Sequence, residues 1–193
     1  IVAVIDTGVD YNHEVMVDSQ AIWINSGEIA NNGIDDDRNG YVDDVRGWNF
    51  FADSKNPMDD DNHGTHVAGI IVGAGVDIFA TTIPESKILI MPLKFLGGNG
   101  SGSTSDAVQA IYYAVQMGAQ VINNSWGGST YSQALHDALT YAYNNNVSIV
   151  TAAGNYSKDN DVVAMYPANY PVPGQISVAA TNDSDNLASF SNY

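Results

Sequence analysis

Cysteine is absent from this 193-residue sequence, and its absence excludes disulfides, thiolate metal sites and cysteine nucleophiles. Basic residues are also scarce: 6 Lys and Arg stand against 22 Asp and Glu, which gives a formal net charge of -16. A surface this acidic repels both nucleic acid and an anionic membrane, so we expect neither as a partner. No apolar run reaches the roughly 18 residues that a membrane-spanning helix needs. The acidic excess instead suits hard cations such as calcium.

Short apolar runs rich in β-branched residues alternate with helical patterns along the chain. The runs predict buried strands, apolar on both faces, over residues 1–5, 87–93, 120–125, 148–153 and 175–180, and the helical patterns predict helices over 63–73, 104–118 and 131–146. Strands that alternate with helices predict an α/β fold of three layers, in which a mostly parallel central sheet is flanked by helices. We expect one domain over residues 1–193, within a natural chain that extends beyond both ends. Ligand sites in such folds lie at the carboxyl ends of the strands.

Residues 26–62 break this alternation and form a predicted loop insertion rich in Asn, Gly and Asp. The candidate ligands of a structural calcium ion in this loop are Asp35, Asp37, Asn39, Asp43 and Asp44. The first three stand at alternate positions before Gly40, as at the start of an EF-hand-type calcium loop. The match ends there, because Arg46 stands where that loop has a bidentate Glu, and the last two acids would then close a shorter loop. A solvated acidic turn without an ion is the alternative.

Two stretches predict an acid and a base at one sheet edge. VIDTG ends a strand with Asp6, and DDDNHGTHVAG opens a helix with His63 at its exposed end, while His66 lies one turn on and is expected to be deeper. An H-x-x-H zinc site would need further ligands, and there is no cysteine to supply one. A strand-end Asp with a helix-start His is what an oriented general base requires, because the carboxylate fixes the imidazole tautomer. Taken alone, the Asp is as well explained by capping a turn, and a lone His by a structural role.

The stretch TAAGN brings Asn155 to the same edge, because it follows the strand predicted over residues 148–153. The amide N–H groups of this side chain are donors that suit the oxyanion of an acyl-transfer reaction. A turn asparagine is the alternative, and for an isolated Ala-Gly-Asn it is the better explanation.

In this order, VIDTG, HGTHVAG, NNSWGG and AAGN resemble the motifs of the subtilisin-like serine peptidases, the subtilases, and the resemblance covers residues 1–193. It implies that Asp6 is the acid and His63 the general base of an Asp/His/Ser triad, and that Asn155 is the oxyanion donor. It further implies a secreted, extracellular endopeptidase with structural calcium. Peptide or protein substrates would be its partners, together with a propeptide or a protein inhibitor.

The same resemblance implies a set of substrate-binding residues. They are an extended edge at Gly100, Ser101 and Gly102, an opposite wall at Ser125, Trp126 and Gly127, and a side-chain pocket at Ala152, Ala153, Gly154 and Met165. Trp126 and Met165 are larger than the residues that many members have at these positions. We therefore expect a reshaped outer subsite and a preference against large side chains at the substrate position before the scissile bond.

The nucleophile of the family stands in a G-T-S-x-A-x-P motif, and no such motif occurs in residues 1–193. Ser125 belongs to the cleft wall by the resemblance, and Ser103 and Ser105 lie in a Gly/Ser-rich run typical of a loop and a helix cap. We therefore expect the serine to lie beyond Tyr193, so that this chain alone has no peptidase turnover. The alternatives are a non-catalytic, calcium-dependent peptide-binding pseudopeptidase and, third, a bare calcium-binding surface module.

Overall fold

A computed structural model describes residues 1–79 and 88–193, with the side chains of residues 74–79 excepted. Its strands are β1 (Val2–Asp6), β2 (Trp48–Asn49), β3 (Ile90–Lys94), β4 (Val121–Asn124), β5 (Ser148–Ala152) and β6 (Ile176–Val178). Its helices are α1 (Glu14–Asp18), α2 (His63–Phe79), α3 (Thr104–Gln116) and α4 (Gln133–Asn144). The described strands form one sheet in the order β2-β3-β1-β4-β5-β6, and every adjacent pair is parallel. The predicted α/β fold with a parallel central sheet is confirmed.

Strand β1 lies inside the sheet and separates two apolar cores. Ala3 and Ile5 face the larger core, which holds the buried sides of α3 and α4, whereas Val4 packs in a smaller core with Ala68 of α2 and Ile90 of β3. Side chains alternate between the two faces of a strand, so one short apolar run contributes to both layers. Helices therefore cover both faces of the sheet.

The two long helices on the larger core begin at serine caps. The hydroxyl of Ser103 accepts the backbone N–H of Asp106 at the start of α3, and that of Ser132 accepts the N–H of Leu135 at the start of α4. Helix α3 stops before Gly118, whose φ of +79° is the left-handed conformation that commonly follows a helix. These signals are local, and the sequence predictions of both helices are confirmed to within two residues at each end.

Other predictions were wrong in detail. Helix α2 continues past Gly73 to Phe79, because Gly73 keeps the helical conformation instead of ending the helix. Strand β6 is exposed at all three residues, because β5 is the one described element that packs closely against it and no described helix covers its faces closely. The short elements α1 and β2 had no sequence prediction, and the first residue of the strand predicted over 87–93 lies outside the described residues.

Among residues 1–79 and 88–193, no helix combines the length and the apolar character that crossing a membrane requires.

Candidate active site

The end of β1 meets the start of α2 through the side chains of Asp6 and His63. Oδ1 of Asp6 lies 2.7 Å from Nδ1 of His63 and also accepts the backbone N–H of Thr7 at 2.7 Å. Asp6 is fully buried, whereas the His63 side chain is 48% exposed. The carboxylate thus accepts a hydrogen bond from Nδ1–H, which leaves Nε2 of the neutral ring as the basic nitrogen.

The same pair sets the basicity of the imidazole. The hydrogen bond from Asp6 is the largest cause that raises the pKa of His63 above its ordinary value, and burial opposes it. The negative charges of Asp6, Asp61 and Asp59 raise this pKa further. A raised pKa makes the ring a stronger base, provided that the pH is high enough to leave it neutral.

A hydrogen-bond network holds the start of α2 against the end of β1. The hydroxyl of Thr7 accepts the N–H of Gly64 at 2.9 Å and donates to Asp59 at 2.8 Å. Asp59 also accepts the N–H and the hydroxyl of Thr65, at 2.9 and 2.6 Å. Burial alone would raise the pKa of Asp59, but these hydrogen bonds outweigh it and hold that pKa below its ordinary value. Asp59 is therefore an ionised anchor for the helix that carries His63.

The predicted depth of His66 was wrong. This side chain is exposed to solvent, whereas Ala68 is the residue of this turn that is fully buried against the sheet. The reason is the rotation of the helix by about 100° per residue, because two residues correspond to about 200° and His66 therefore faces away from the sheet that Ala68 contacts.

A cleft of 560 Å³ opens beside His63 at the carboxyl edge of the sheet. It brings together most of the predicted substrate-binding residues, namely Gly100, Ser101, Gly102, Ser125, Trp126 and Gly127. The ring of Trp126 lies 4.7 Å from that of Phe95 and occupies one side of the cleft. Residue Gly102 pairs with Leu96 in an antiparallel bridge, which keeps this segment extended.

Met165 lies in a second cavity, of 390 Å³, with Gly128 and Tyr156. Its Cε is 3.5 Å from where a Cβ on Gly127 would stand and 3.3 Å from where one on Gly154 would stand. The methionine side chain therefore fills the space between the wall predicted at residues 125–127 and that predicted at residues 152–154.

Asn155 follows β5 at the same edge and is exposed. The loop around it is held by Asn192, a buried residue with no sequence signal that linked it to this site. Asn192 donates its N–H to the carbonyl of Gly154 at 2.9 Å, and its side-chain oxygen accepts the N–H of Tyr156 at 2.8 Å. Sequence reasoning missed it because the two positions are 37 residues apart in the chain.

Two of the serines that line the cleft, Ser103 and Ser125, have partners other than His63. The hydroxyl of Ser125 accepts from Nδ2 of Asn123 at 2.9 Å, and Ser103 caps α3 as predicted. Within the described residues, the His63 ring is hydrogen-bonded to Asp6, and no serine hydroxyl is hydrogen-bonded to that ring. This arrangement contains an acid and a base without a paired nucleophile.

The acidic loop brings three carboxylates together, those of Glu28, Asp37 and Asp44, with one oxygen of each within 4.8 Å of the others. Nδ2 of Asn39 donates to Asp44 at 2.8 Å. Glu28 was missed because it stands outside the alternating pattern. Of the predicted ligands, Asp37, Asn39 and Asp44 are thus close to one another.

Asp35 and Asp43 have different partners. The Asp35 carboxylate accepts the backbone N–H groups of Asn39 and Gly40, at 3.0 and 2.9 Å, and so closes the turn. The Asp43 carboxylate lies 2.9 Å from Nζ of Lys55. These two acids stabilise the loop from outside the three-carboxylate group.

The three-carboxylate group fits a hard cation. Asp44 is fully buried, and burial raises its pKa despite hydrogen bonds from Tyr113, Asn39 and Asn25. A cation beside these three carboxylates would favour the ionised form of Asp44, and oxygen donors are the ligands that calcium prefers.

Comparisons with known proteins decide the family. A family model described as the Subtilase family matches residues 1–193. The chain belongs to the subtilase family. Subtilases are serine peptidases, and the sequence resemblance is thereby confirmed.

The matches to three similar proteins cover all or most of this subtilase chain. The thermophilic serine proteinase of Bacillus sp. (strain AK1) is 38% identical over 194 residues, which are 100% of this chain and 41% of that protein. The cell wall-associated protease of Bacillus subtilis (strain 168) is 42% identical over 168 residues, 86% of this chain and 18% of that protein. The crystal structure of a cold-adapted subtilisin-like serine proteinase has a TM-score of 0.70 at 29% identity and covers 100% of this chain and 58% of that one. The subtilase chain thus spans less than two thirds of the length of each.

Proposed function

We propose that residues 1–193 supply the acid, the base and the substrate cleft of a serine endopeptidase, and that the nucleophilic serine comes from sequence outside these residues. The observation that carries the proposal is the 2.7 Å contact between the buried Asp6 carboxylate and His63, at the head of a 560 Å³ cleft. A binding module has no use for a proton relay of this kind, which disfavours the pseudopeptidase.

The proposed chemistry follows from the orientation of the His63 ring. Its Nε2 takes the proton of the serine hydroxyl as that oxygen attacks the substrate carbonyl, and the Asp6 carboxylate stabilises the imidazolium that forms. The side-chain N–H of Asn155 donates to the oxyanion of the tetrahedral intermediate. The imidazolium then protonates the leaving amine, and a water activated by the same base releases the acyl group.

Substrate would bind as an added strand beside Gly100, Ser101 and Gly102, opposite the wall at residues 125–127. The pocket between that wall and Ala152, Ala153 and Gly154 would receive the side chain before the scissile bond. Met165 occupies part of this space, which supports a preference for small side chains there.

We further propose that Glu28, Asp37 and Asp44, with Asn39, hold a structural calcium ion, and that Asp35 and Asp43 support this loop. Subtilases generally bind calcium, and the buried charge of Asp44 supports a cation here. Calcium bound in this way neutralises the carboxylates and ties the loop to α3 through Tyr113, whose hydroxyl donates to Asp44 at 2.5 Å. An extracellular location agrees with such a site and with a cell wall-associated relative.

Labelling with a fluorophosphonate, read by intact mass spectrometry, tests the proposal. We expect the natural chain that contains these residues to be labelled, and its His63→Ala variant to lose both labelling and peptide hydrolysis. Residues 1–193 alone should remain unlabelled. A labelled serine within residues 1–193 would show that the nucleophile has been misassigned, and a natural chain that binds peptides without labelling would favour the pseudopeptidase.

A further inference from the structure

Lys94, at the end of β3, is the one buried basic side chain among the described residues, with 3% of its side chain exposed. Its ammonium donates to the carbonyl of Thr7 at 2.5 Å, to Oδ1 of Asp60 at 2.5 Å and to the carbonyl of Leu96 at 2.7 Å. A lysine ammonium has three N–H donors, so all of them are used. Each acceptor belongs to a different segment of the candidate active site.

The proposed reaction requires these three segments to be aligned with one another. Thr7 directly follows Asp6 on β1, and Asp60 stands three residues before His63. Leu96 is the first residue of a segment that ends at Gly102, and Gly102 belongs to the edge proposed to bind substrate. The backbones also touch, since a Cβ on Gly98 would stand 2.9 Å from the carbonyl oxygen of Asp60.

A buried charge is a costly way to fill this position if stability is all that matters. Taking an ammonium out of water is unfavourable, and apolar side chains of similar size often replace buried ion pairs without loss of stability. An apolar side chain, however, makes no directed contact with two carbonyls and a carboxylate. The geometry of the three acceptors therefore points to a role in positioning.

We propose that Lys94 is a positioning residue of this site, whose ammonium holds the segments of Asp6, of His63 and of the substrate edge in one arrangement. This inference rests on the proposed function. Its charge has a second consequence, because it neutralises Asp60 within three consecutive acids that precede the base. Asp6, Asp59 and Asp61 also act on the His63 ring, and all three favour the imidazolium.

The test uses the natural chain that contains these residues, with active sites counted by a fluorophosphonate and turnover measured on fluorescein-labelled casein across pH. For Lys94→Met we expect kcat/KM per active site to fall roughly tenfold to a hundredfold, as reacting groups shift out of alignment. The acid limb of the pH profile should move to higher pH, because a nearby positive charge is lost. Asp60→Asn should move that limb to lower pH, and Asp183→Asn, which removes an exposed carboxylate outside the cleft, should leave it in place.

Unchanged kinetics per active site in Lys94→Met would overturn the inference, even with a lower melting temperature, because the lysine would then be structural alone. If this variant does not fold, Asp60→Asn decides, since its side chain is 59% exposed and an unmoved acid limb contradicts the inference. His63→Ala separates the two proposals. If that variant keeps its turnover, the proposed function is wrong; if it is inactive while the Lys94 and Asp60 variants match the parent, the positioning role alone is wrong.

Discussion

Replacing Gly64 by alanine should disturb the junction between β1 and α2 that brings Asp6 and His63 together. A Cβ on Gly64 would stand 2.1 Å from the carbonyl oxygen of Gly8 and 3.1 Å from Cβ of Asp6. The first of these atoms is backbone, so the helix or the strand end must move by about 1 Å to restore an ordinary contact. Overpacking of this kind costs about 1–3 kcal/mol of folding free energy.

Gly69 offers a matched control in the same helix. Among the described residues, nothing lies within 4 Å of a Cβ built there, so alanine meets open space in this part of the structure. Alanine in a helix interior is favoured over glycine by about 0.5–1 kcal/mol. The same substitution should therefore destabilise the protein at position 64 and stabilise it at position 69.

Urea unfolding followed by circular dichroism, with both variants made in the natural chain, measures the two effects. The imidazole Nδ1–H resonance of His63, which is hydrogen-bonded to Asp6, reports by NMR whether the pair survives. We expect it to be lost or shifted in Gly64→Ala and kept in Gly69→Ala. A Gly64→Ala variant within about 0.5 kcal/mol of the parent, with this resonance unchanged, would refute the packing argument.

Three further outcomes are expected. The pKa of His63 is raised above its ordinary value of about 6.5, so its pair with Asp6 should stabilise the fold fully below that pH and lose this contribution as the pH rises through the raised pKa. Hydrolysis should increase over the same interval, because His63 becomes a neutral base. Asp6→Asn should abolish the change in folding free energy with pH, and an identical pH dependence in that variant would contradict the linkage. EDTA should lower the melting temperature and calcium should restore it. Calcium at a hundredfold excess over its Kd should raise the free energy of unfolding by about 2.7 kcal/mol. Asp44→Asn should lose this response and Asp183→Asn keep it, and an unchanged melting curve at fixed ionic strength would count against the calcium site. Met165→Ala should improve hydrolysis of substrates with a large apolar side chain before the scissile bond by roughly tenfold relative to alanine there, whereas an unchanged preference would show that this side chain does not limit the pocket.

Much of the fold was predictable because its signals are local. Ser103 caps α3 and Gly118 follows its end, and both can be recognised within a few residues of sequence. The exposure of β6 was not predictable, because the apolar composition of a strand does not show whether a helix packs against it in the folded protein. The exposed position of His66 followed from the rotation of α2 against the sheet, which periodicity alone did not orient.

The sequence by itself determined the alternation of strands and helices, the positions of Asp6 and His63 at a strand end and a helix start, and the family to which they belong. These are properties of residue type and spacing along the chain. The tertiary structure alone decided which distant groups meet: Lys94 with Asp60, Asn192 with the loop around Asn155, and Glu28 with Asp37 and Asp44. Contacts of this kind depend on sheet order and on the direction of each side chain, and neither is encoded by a short stretch of sequence.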